Sequence, residues 1–526
     1  MKPFQPNGMF KPIDTGGKLR RSAVRGAAAS VAGQAGNVTL QLGSVVVLAR
    51  LLTPGDFGIV TMVTTFSLLF VSFGLNGFTE LIMQRPDLSD SLASNLFWIN
   101  LSIGVFLTLG FAAIGRMLAA FYHNQAVAHV AVCLSASIVL SSLGYIHQAL
   151  LQRAMHFTTT AIINFVGQAV LALVSIVLAL EGWHCWALVW GIVAQSAAIA
   201  AGAWLMCRWT PKWPGRVSGT GSGLRFAISV YSHFALSYAT RNTDNLLVGW
   251  RYGAWVLGFY KKAYDLFVVA ATQLLSPISA VAVSTLSRVS QDRDEFERYF
   301  LRAISVLALL GMGIGADFSL VGKDLIRFLL GPGWGEAGKI FTLFGPGIGV
   351  MLLYNTHGWI HVSIGRPERW LRWGLVEFLC TASLFLLTLH WGPSGVALAW
   401  TISYFLLMLP GFWYAGKPIG LEVGSVIRVI WRFFAASVGA ACATLLVINA
   451  VPHSEAALSA SQAFVRMILV SGVFFAMYFC AVVGLHGGMK PIRETFSLLH
   501  HLQPDRSVRG IPSGGGDYEA AKAGPA

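Results

Sequence analysis

Apolar runs of about 20 residues recur from residue 27 almost to residue 486, and about 20 residues at about 1.5 Å each cross about 30 Å of hydrocarbon. A single chain segment in lipid has no water to satisfy its peptide groups, so each run must close its own hydrogen bonds as a helix. About 14 spans are expected, near 27–50, 57–82, 94–115, 126–149, 160–180, 184–207, 226–249, 261–286, 300–321, 340–362, 371–389, 394–415, 428–450 and 464–486. Composition agrees: of 526 residues 55% are hydrophobic and 11% charged, against about 25% charged in soluble proteins. An ordinary soluble enzyme is excluded, and the fold class expected is an all-α polytopic membrane bundle.

The formal net charge of +14 raises the question of nucleic acid, and the placement of the 37 Lys and Arg residues decides it. With the N-terminus inside, about 27 fall at cytoplasmic ends, about 9 on the opposite side, and Arg241 lies within a span, which is the positive-inside pattern. Lys18, Arg20, Arg21 and Arg25 precede the first span, and Arg208, Lys212, Arg216 and Arg225 flank the connection after the sixth. These are cytoplasmic anchors of a multi-pass membrane protein with both termini cytoplasmic, and no nucleic-acid partner is expected. The first 25 residues are polar and basic without a short apolar segment ending at a small-residue cleavage site, so no cleaved signal peptide is expected. The six cysteines lie in spans or at their ends without metal-type spacing and read as packing residues.

The stretch "PKWPGRVSGTGSG" at 211–223 mixes Pro, Gly, Ser and positive charge and reads as a flexible linker between six spans and eight. Both halves carry a tight, Gly-containing connection after their first span, "LARLLTPGDFGIV" and "VGWRYGAWVLGFY", with Gly58 and Gly258 at matching places. Thr53, Pro54 and Asp56 suit a helix restart as cap, first-turn proline and dipole partner. Asp292 and Glu295 likewise sit at capping-box spacing before the ninth span. The organisation expected is a basic segment (1–25), an N-lobe of six spans (26–210), a linker (211–225) and a C-lobe of six spans (226–418). Two extra helices (419–487) and a disordered tail (488–526) follow. The lobes would be pseudo-symmetric repeats about an axis along the membrane normal.

Within the seventh span, "LSYATRNTDNLLVGW" places Arg241 and Asp244 in hydrocarbon, where an ionised side chain costs at least about 2.5–3.5 kcal/mol. His233, Ser237, Arg241 and Asp244 follow one another at spacings that put them on one helix face, where Arg241 and Asp244 partly compensate each other. The first span carries Gln34, Asn37 and Gln41 on a similar face with Arg50 at its far end. Equivalent helices of two repeats both presenting polar stripes imply a hydrophilic cavity between the lobes, the alternative being a structural ion pair that pins the seventh span. Glu80, Asp265 after Lys261 and Lys262, Asp317 and Glu377 are further polar intrusions, with Asp244, Asp265 and Glu80 the candidates for coupling to an H+ or Na+ gradient.

Catalytic motifs are weak. "GWGEAGK" at Gly333–Lys339 has the glycine and lysine spacing of a phosphate loop, but Ile340 replaces the Ser or Thr that magnesium needs. His357 and His361, four apart, lack the intervening Glu and third ligand of a zinc site. No catalytic residue, metal or cofactor is expected, and the chain reads as a non-enzyme.

Five motifs carry a family resemblance: "RLLTPGDFGIV" at 50–60, "ALLQRAMHF" at 149–157, "RNTDNLLVG" at 241–249, "LGFYKKAYDL" at 257–266 and "STLSRVSQD" at 284–292. In this order and spacing, over about residues 20–420, the chain resembles the Wzx-type polysaccharide and lipopolysaccharide flippases of the multidrug, oligosaccharidyl-lipid and polysaccharide exporter superfamily. The resemblance implies a two-lobed bundle that opens alternately to the two sides and moves an oligosaccharide repeat unit on undecaprenyl pyrophosphate. It implies Arg241, then Arg50 and Lys261, as pyrophosphate contacts, in the cavity that the stripe of Gln34, Asn37 and Gln41 is expected to line. Polysaccharide polymerase and export machinery are the implied partners beside the bilayer. The alternatives are a cation-coupled multidrug extruder of the same superfamily and, from another class, a membrane glycan polymerase. The second would need a substantial outer loop bearing acids or arginines, whereas the longest outer connection expected is about 20 residues.

Overall fold

The computed structural model describes residues 3–6, 8–10, 17–73, 77–85, 88–215, 220–450, 459–489 and 491–493, with side chains from residue 32 onward in the first long helix. These residues form fifteen α-helices. In the first half they are α1 (Gly17–Leu51), α2 (Pro54–Phe73), the short α3 (Thr79–Gln84), α4 (Asp90–Phe121), α5 (Ala126–Arg153), α6 (Phe157–Leu180) and α7 (Cys185–Cys207). The second half holds α8 (Thr220–Arg288), α9 (Arg293–Leu330), α10 (Gly335–Asn355), α11 (His357–Ser363), α12 (Pro367–Thr388) and α13 (Gly392–Gly416). Two more, α14 (Val423–Ala450) and α15 (Ala460–His486), close the described chain. Each expected span is matched by helix, and ten stretches of the described residues are long and apolar enough to cross a membrane.

α8 holds both the seventh and the eighth expected span. It breaks at Gly253, whose φ of 78° and ψ of 179° are open to glycine at little cost, into an arm at 220–252 and an arm at 254–288. The equivalent break in the first half, between α1 and α2, is made by polar chemistry instead. Thr53 Oγ1 donates to Asp56 Oδ2 at 2.7 Å and the Thr53 backbone N–H donates to the same oxygen at 2.9 Å. Asp56 N–H returns a 3.3 Å bond to Thr53 Oγ1, so the restart read from Thr53-Pro54-Asp56 is a reciprocal cap. The cap expected at Asp292 is also present, its Oδ1 accepting from Glu295 N–H at 3.0 Å.

The two halves repeat one packing pattern. In the first, α4 packs on α5, α5 on α7, α6 on α7, α1 on α6 and α2 on α5. In the second, α9 packs on α10, α10 on α13, α12 on α13, and α8 on both α12 and α10. Helix by helix this is the same arrangement, two pseudo-symmetric six-helix lobes. Where two helices lack a hydrophobic drive to separate from lipid, close backbone approach holds them. The α9–α10 seam does so with Gly311 against Gly349 and Gly315 against Gly345: a β-carbon on Gly315 would stand 2.7 Å from the Gly345 carbonyl oxygen. The appended α14 and α15 pack on each other and on α9, with Tyr478 O–H donating to Leu309 O at 2.8 Å.

One expectation is corrected. The start of the 211–223 stretch is not a loose tether: Asn95 exchanges two bonds with Gly215 at 2.7 and 3.0 Å. Lys212 Nζ meets Asp90 Oδ2 at 2.8 Å, and Trp213 stacks on Trp98 at 5.4 Å between ring centres. The Pro-Gly composition breaks the helix after α7, but the side chains of α4 then fix the strand of chain that follows. Residues 216–219 and the expected disordered tail beyond 493 lie outside the described residues.

Candidate functional site

The lobes meet chiefly where α2 runs along α8. At the end of the bundle where α1 turns into α2, the contact is backbone on backbone. A β-carbon on Gly58 would lie 1.7 Å from the Ala254 carbonyl oxygen, and one on Gly258 would lie 1.8 Å from that of Pro54. The two glycines, matched in the sequence, are thus reciprocal across the pseudo-symmetry axis: each lets the other repeat's helix start touch its own. Around them sits an aromatic plug, with the buried Trp334 ring 5.6 Å from Phe57 and 5.8 Å from Phe259. Trp334 Nε1 donates to Ala49 O at 2.8 Å, and Arg50 Nη2 donates to Phe328 O at 2.9 Å. Lys262, buried, places its ammonium 4.1 Å from the centre of the Phe57 ring and 4.0 Å from Asp265 Oδ2. This end is shut.

Deeper along α8, Arg241 and Asp244 part company. Asp244 is fully buried, and its Oδ2 accepts from Tyr260 O–H at 2.7 Å and from Trp400 Nε1 at 2.9 Å. It therefore ties both arms of α8 to α13 and forms no ion pair with Arg241, which corrects the expected mutual compensation. Three residues apart on a helix is close enough for contact, but two neutral donors from the C-lobe core reach Asp244 first and satisfy it without a second charge. Arg241 stays exposed, with no hydrogen-bond or ion-pair partner among the described residues. It faces Glu377 of α12, Tyr404 of α13 and Tyr264, all within reach of its charge. Glu377 in turn lies beside Tyr354, whose O–H accepts from Trp373 Nε1 at 2.8 Å.

The remaining candidates fall into separate groups. On α1, Gln34 and Gln41 are exposed and Asn37 is half-buried, its Oδ1 without a partner. Their stripe lies about a quarter turn from the face where Gly33 and Gly36 pack on Ala161 and Phe165 of α6. Lys261 is engaged within its own helix, Nζ to Asp265 Oδ1 at 2.6 Å. Glu80 is exposed on α3, and Arg50 belongs to the shut end rather than to the neighbourhood of Arg241. The side chains of His233 and Ser237 lie outside the described residues. Lys262, Glu377, Tyr404 and Tyr354 join the site from the structure. Glu377 was visible in sequence as an isolated acid, whereas a tyrosine in a span looks like any other packing residue until its helix is placed.

A bundle of two six-helix repeats that cross at a glycine pair, with an exposed guanidinium partway along, is the architecture of a polytopic membrane protein built from parallel repeats. The fold is shared with the lipid II flippase MurJ in its inward closed conformation (TM-score 0.68, 15% identity, 87% of this chain and 100% of that one). It is shared too with an inward-facing multidrug resistance MATE family transporter of the MOP superfamily (TM-score 0.61, 12% identity, 73% and 94%). Among sequences, the chain is 21% identical over 362 residues to the succinoglycan biosynthesis transport protein ExoT of Rhizobium meliloti, covering 69% of this chain and 73% of that one. It is 22% identical to the teichuronic acid biosynthesis protein TuaB of Bacillus subtilis (68% and 75%) and to the lipopolysaccharide biosynthesis protein WzxC of Escherichia coli (62% and 66%). Residues 47–339 match the profile of the polysaccharide biosynthesis protein family, and the chain belongs to that family. It is a multi-pass membrane protein of polysaccharide biosynthesis.

Proposed function

We propose that the protein moves an oligosaccharide repeat unit, carried on undecaprenyl pyrophosphate, across the bacterial inner membrane by alternating access. The observation that carries this reading is Arg241: a guanidinium held partway along a span, exposed and without a partner among the described residues. Leaving such a charge unpaired in a membrane protein is costly unless water or an anionic cargo reaches it, and a guanidinium suits two-point contact with phosphate oxygens. The polar stripe of α1 supplies amides for sugar hydroxyls from the other lobe. The headgroup would travel between the lobes while the polyprenyl tail stays in lipid, so that no sugar or phosphate is dragged through hydrocarbon.

The shut end would face the periplasm, with both termini cytoplasmic, in keeping with the distribution of basic residues. Opening requires the Gly58–Gly258 crossing to part. Asp244 and Glu377 would carry the coupling proton or sodium ion, Glu377 because Arg241 is its charged neighbour, so that a cation on Glu377 and an anion on Arg241 respond to one another. Polymerase and export machinery would receive the flipped unit. The test is the sidedness of the lipid-linked glycan in cells lacking the protein and complemented with wild type or Arg241→Ala. Cytoplasmic accumulation relieved by wild type alone supports the reading, and full relief by Arg241→Ala removes Arg241 from it. A strain whose deletion changes only drug sensitivity would favour the multidrug alternative.

A further inference from the structure

The appended helices create a second charged site away from the lobe interface. Between the end of α9, the start of α10 and the facing ends of α14 and α15 lies a cavity of about 490 Å³. Its wall carries four cations from three helices: Lys323 and Arg327 of α9, Lys339 of α10 and Arg466 of α15. Two are already matched. Lys339 Nζ meets Glu336 Oε1 at 2.7 Å, and Arg466 Nε stands 3.5 Å from Asp324 Oδ2. Lys323 and Arg327 are one helical turn apart on the same face of α9 and have no hydrogen-bonded or ion-paired partner among the described residues. Among the described residues the cavity therefore holds two cations in excess.

Its other wall is apolar. Leu445 and Ile448 of α14 line it, and Leu445, Val447 and Phe464 at its edge are exposed on the outer surface of the helix pair. The cations come from the last turns of α9 and the first turns of α10 and α15, the level at which basic side chains of spans meet phosphates of the bilayer. A pocket of this size, with basic and apolar residues on its wall at the membrane edge, has the chemistry of a phosphate-bearing headgroup.

We propose that the cleft between α9, α10, α14 and α15 binds an anionic phosphate group, that of a phospholipid headgroup, on Lys323 and Arg327. The site is independent of the cargo assigned to the lobe interface: it rests on the membrane placement of the chain, and its failure would leave the reading of Arg241 untouched.

The full chain, purified in non-ionic detergent and titrated with phosphatidylglycerol or phosphatidylcholine, is read by native mass spectrometry. Phosphatidylglycerol is retained over phosphatidylcholine, and the Lys323→Gln, Arg327→Gln double variant loses that preference by about tenfold, as expected for removing two interfacial charges. The charge-keeping Lys323→Arg, Arg327→Lys variant retains it. Should the neutral double variant fail to fold, Lys323→Gln alone, at an exposed position, still lowers retention. A millimolar excess of inorganic phosphate leaves bound phosphatidylglycerol in place if the lipid is the ligand. Displacement that depends on Lys323 and Arg327 assigns the same pair to a free phosphate anion. Equal retention of the two lipids, or a preference untouched by the neutral variants, overturns the site.

Discussion

Asp244 shows how a buried charge in this bundle is made tolerable. Tyr260 and Trp400 converge on one carboxylate oxygen at 2.7 and 2.9 Å, joining both arms of α8 to α13. Removing the acceptor strands two buried donors, each at about 1–3 kcal/mol. Asp244→Ala is therefore expected to lower the thermal unfolding temperature of the purified protein by several degrees, whereas Asp244→Asn, which keeps one acceptor oxygen, lowers it less. Equal effects of the two would contradict the pairing. The contrast with Arg241 marks what the sequence carried at this scale. Both charges stood out because hydrocarbon makes any ionised residue conspicuous. Their spacing suggested that they answer each other, but Asp244's true partners lie 16 and 156 residues away, and only tertiary placement brings them in.

Among the elements, the crossing of α2 and the second arm of α8 is the contact that the proposed mechanism must part. Gly58 and Gly258 permit backbone contact at distances that leave no room for a side chain, 1.7 and 1.8 Å for the added β-carbon. Gly258→Val must spread the seam. In a chain whose native cysteines are replaced, a single cysteine at Ala254 is expected to react with a water-soluble maleimide several-fold faster when Gly258→Val is present; an unchanged rate would mean that the crossing does not seal the end. The restart of α2 is a second, smaller device. Its reciprocal cap through Thr53 and Asp56 is worth about 1 kcal/mol, so Thr53→Ala destabilises the protein by about that amount in thermal unfolding, and a neutral result would assign the restart to Pro54 alone. These elements were legible because their signals are local: run length gave the helices, Thr-Pro-Asp gave the cap, and two glycines at matching places gave the repeat, though not their contact across it. The break at Gly253 read as a connection, yet the chain stays helical on both sides of it, since one residue at positive φ suffices to bend it.

At the scale of the whole molecule, the repeated packing of α1–α7 and α8–α13 makes two bodies that meet along α2 and α8, at the Gly58–Gly258 crossing and again where Tyr238 and Tyr231 O–H donate to Thr65 O and Leu69 O at 3.0 and 2.8 Å. Lys262 of one lobe reaches Phe57 of the other, its ammonium 4.1 Å from the ring centre, so cysteines replacing this pair lie within reach of a reducible bis-thiosulfonate cross-linker. Bridging is expected to stop transport and reduction to restore it; transport that continues through the bridge would contradict alternating opening. The overall architecture was readable because each span announces itself by its length. The anchoring of 208–215 to α4, and the basic cleft made by α9, α14 and α15, were not, since each depends on side chains far apart in the chain.

The central claim is that Arg241 receives an anionic headgroup between the lobes. Its most direct test is the transbilayer distribution of the lipid-linked glycan in a deletion strain complemented with wild type, Arg241→Lys or Arg241→Ala at equal membrane levels. The account predicts exposure on the outer face with wild type, a partial return with Arg241→Lys, which keeps the charge but not the two-point geometry, and a loss of at least about tenfold with Arg241→Ala. Wild-type exposure from Arg241→Ala would contradict it.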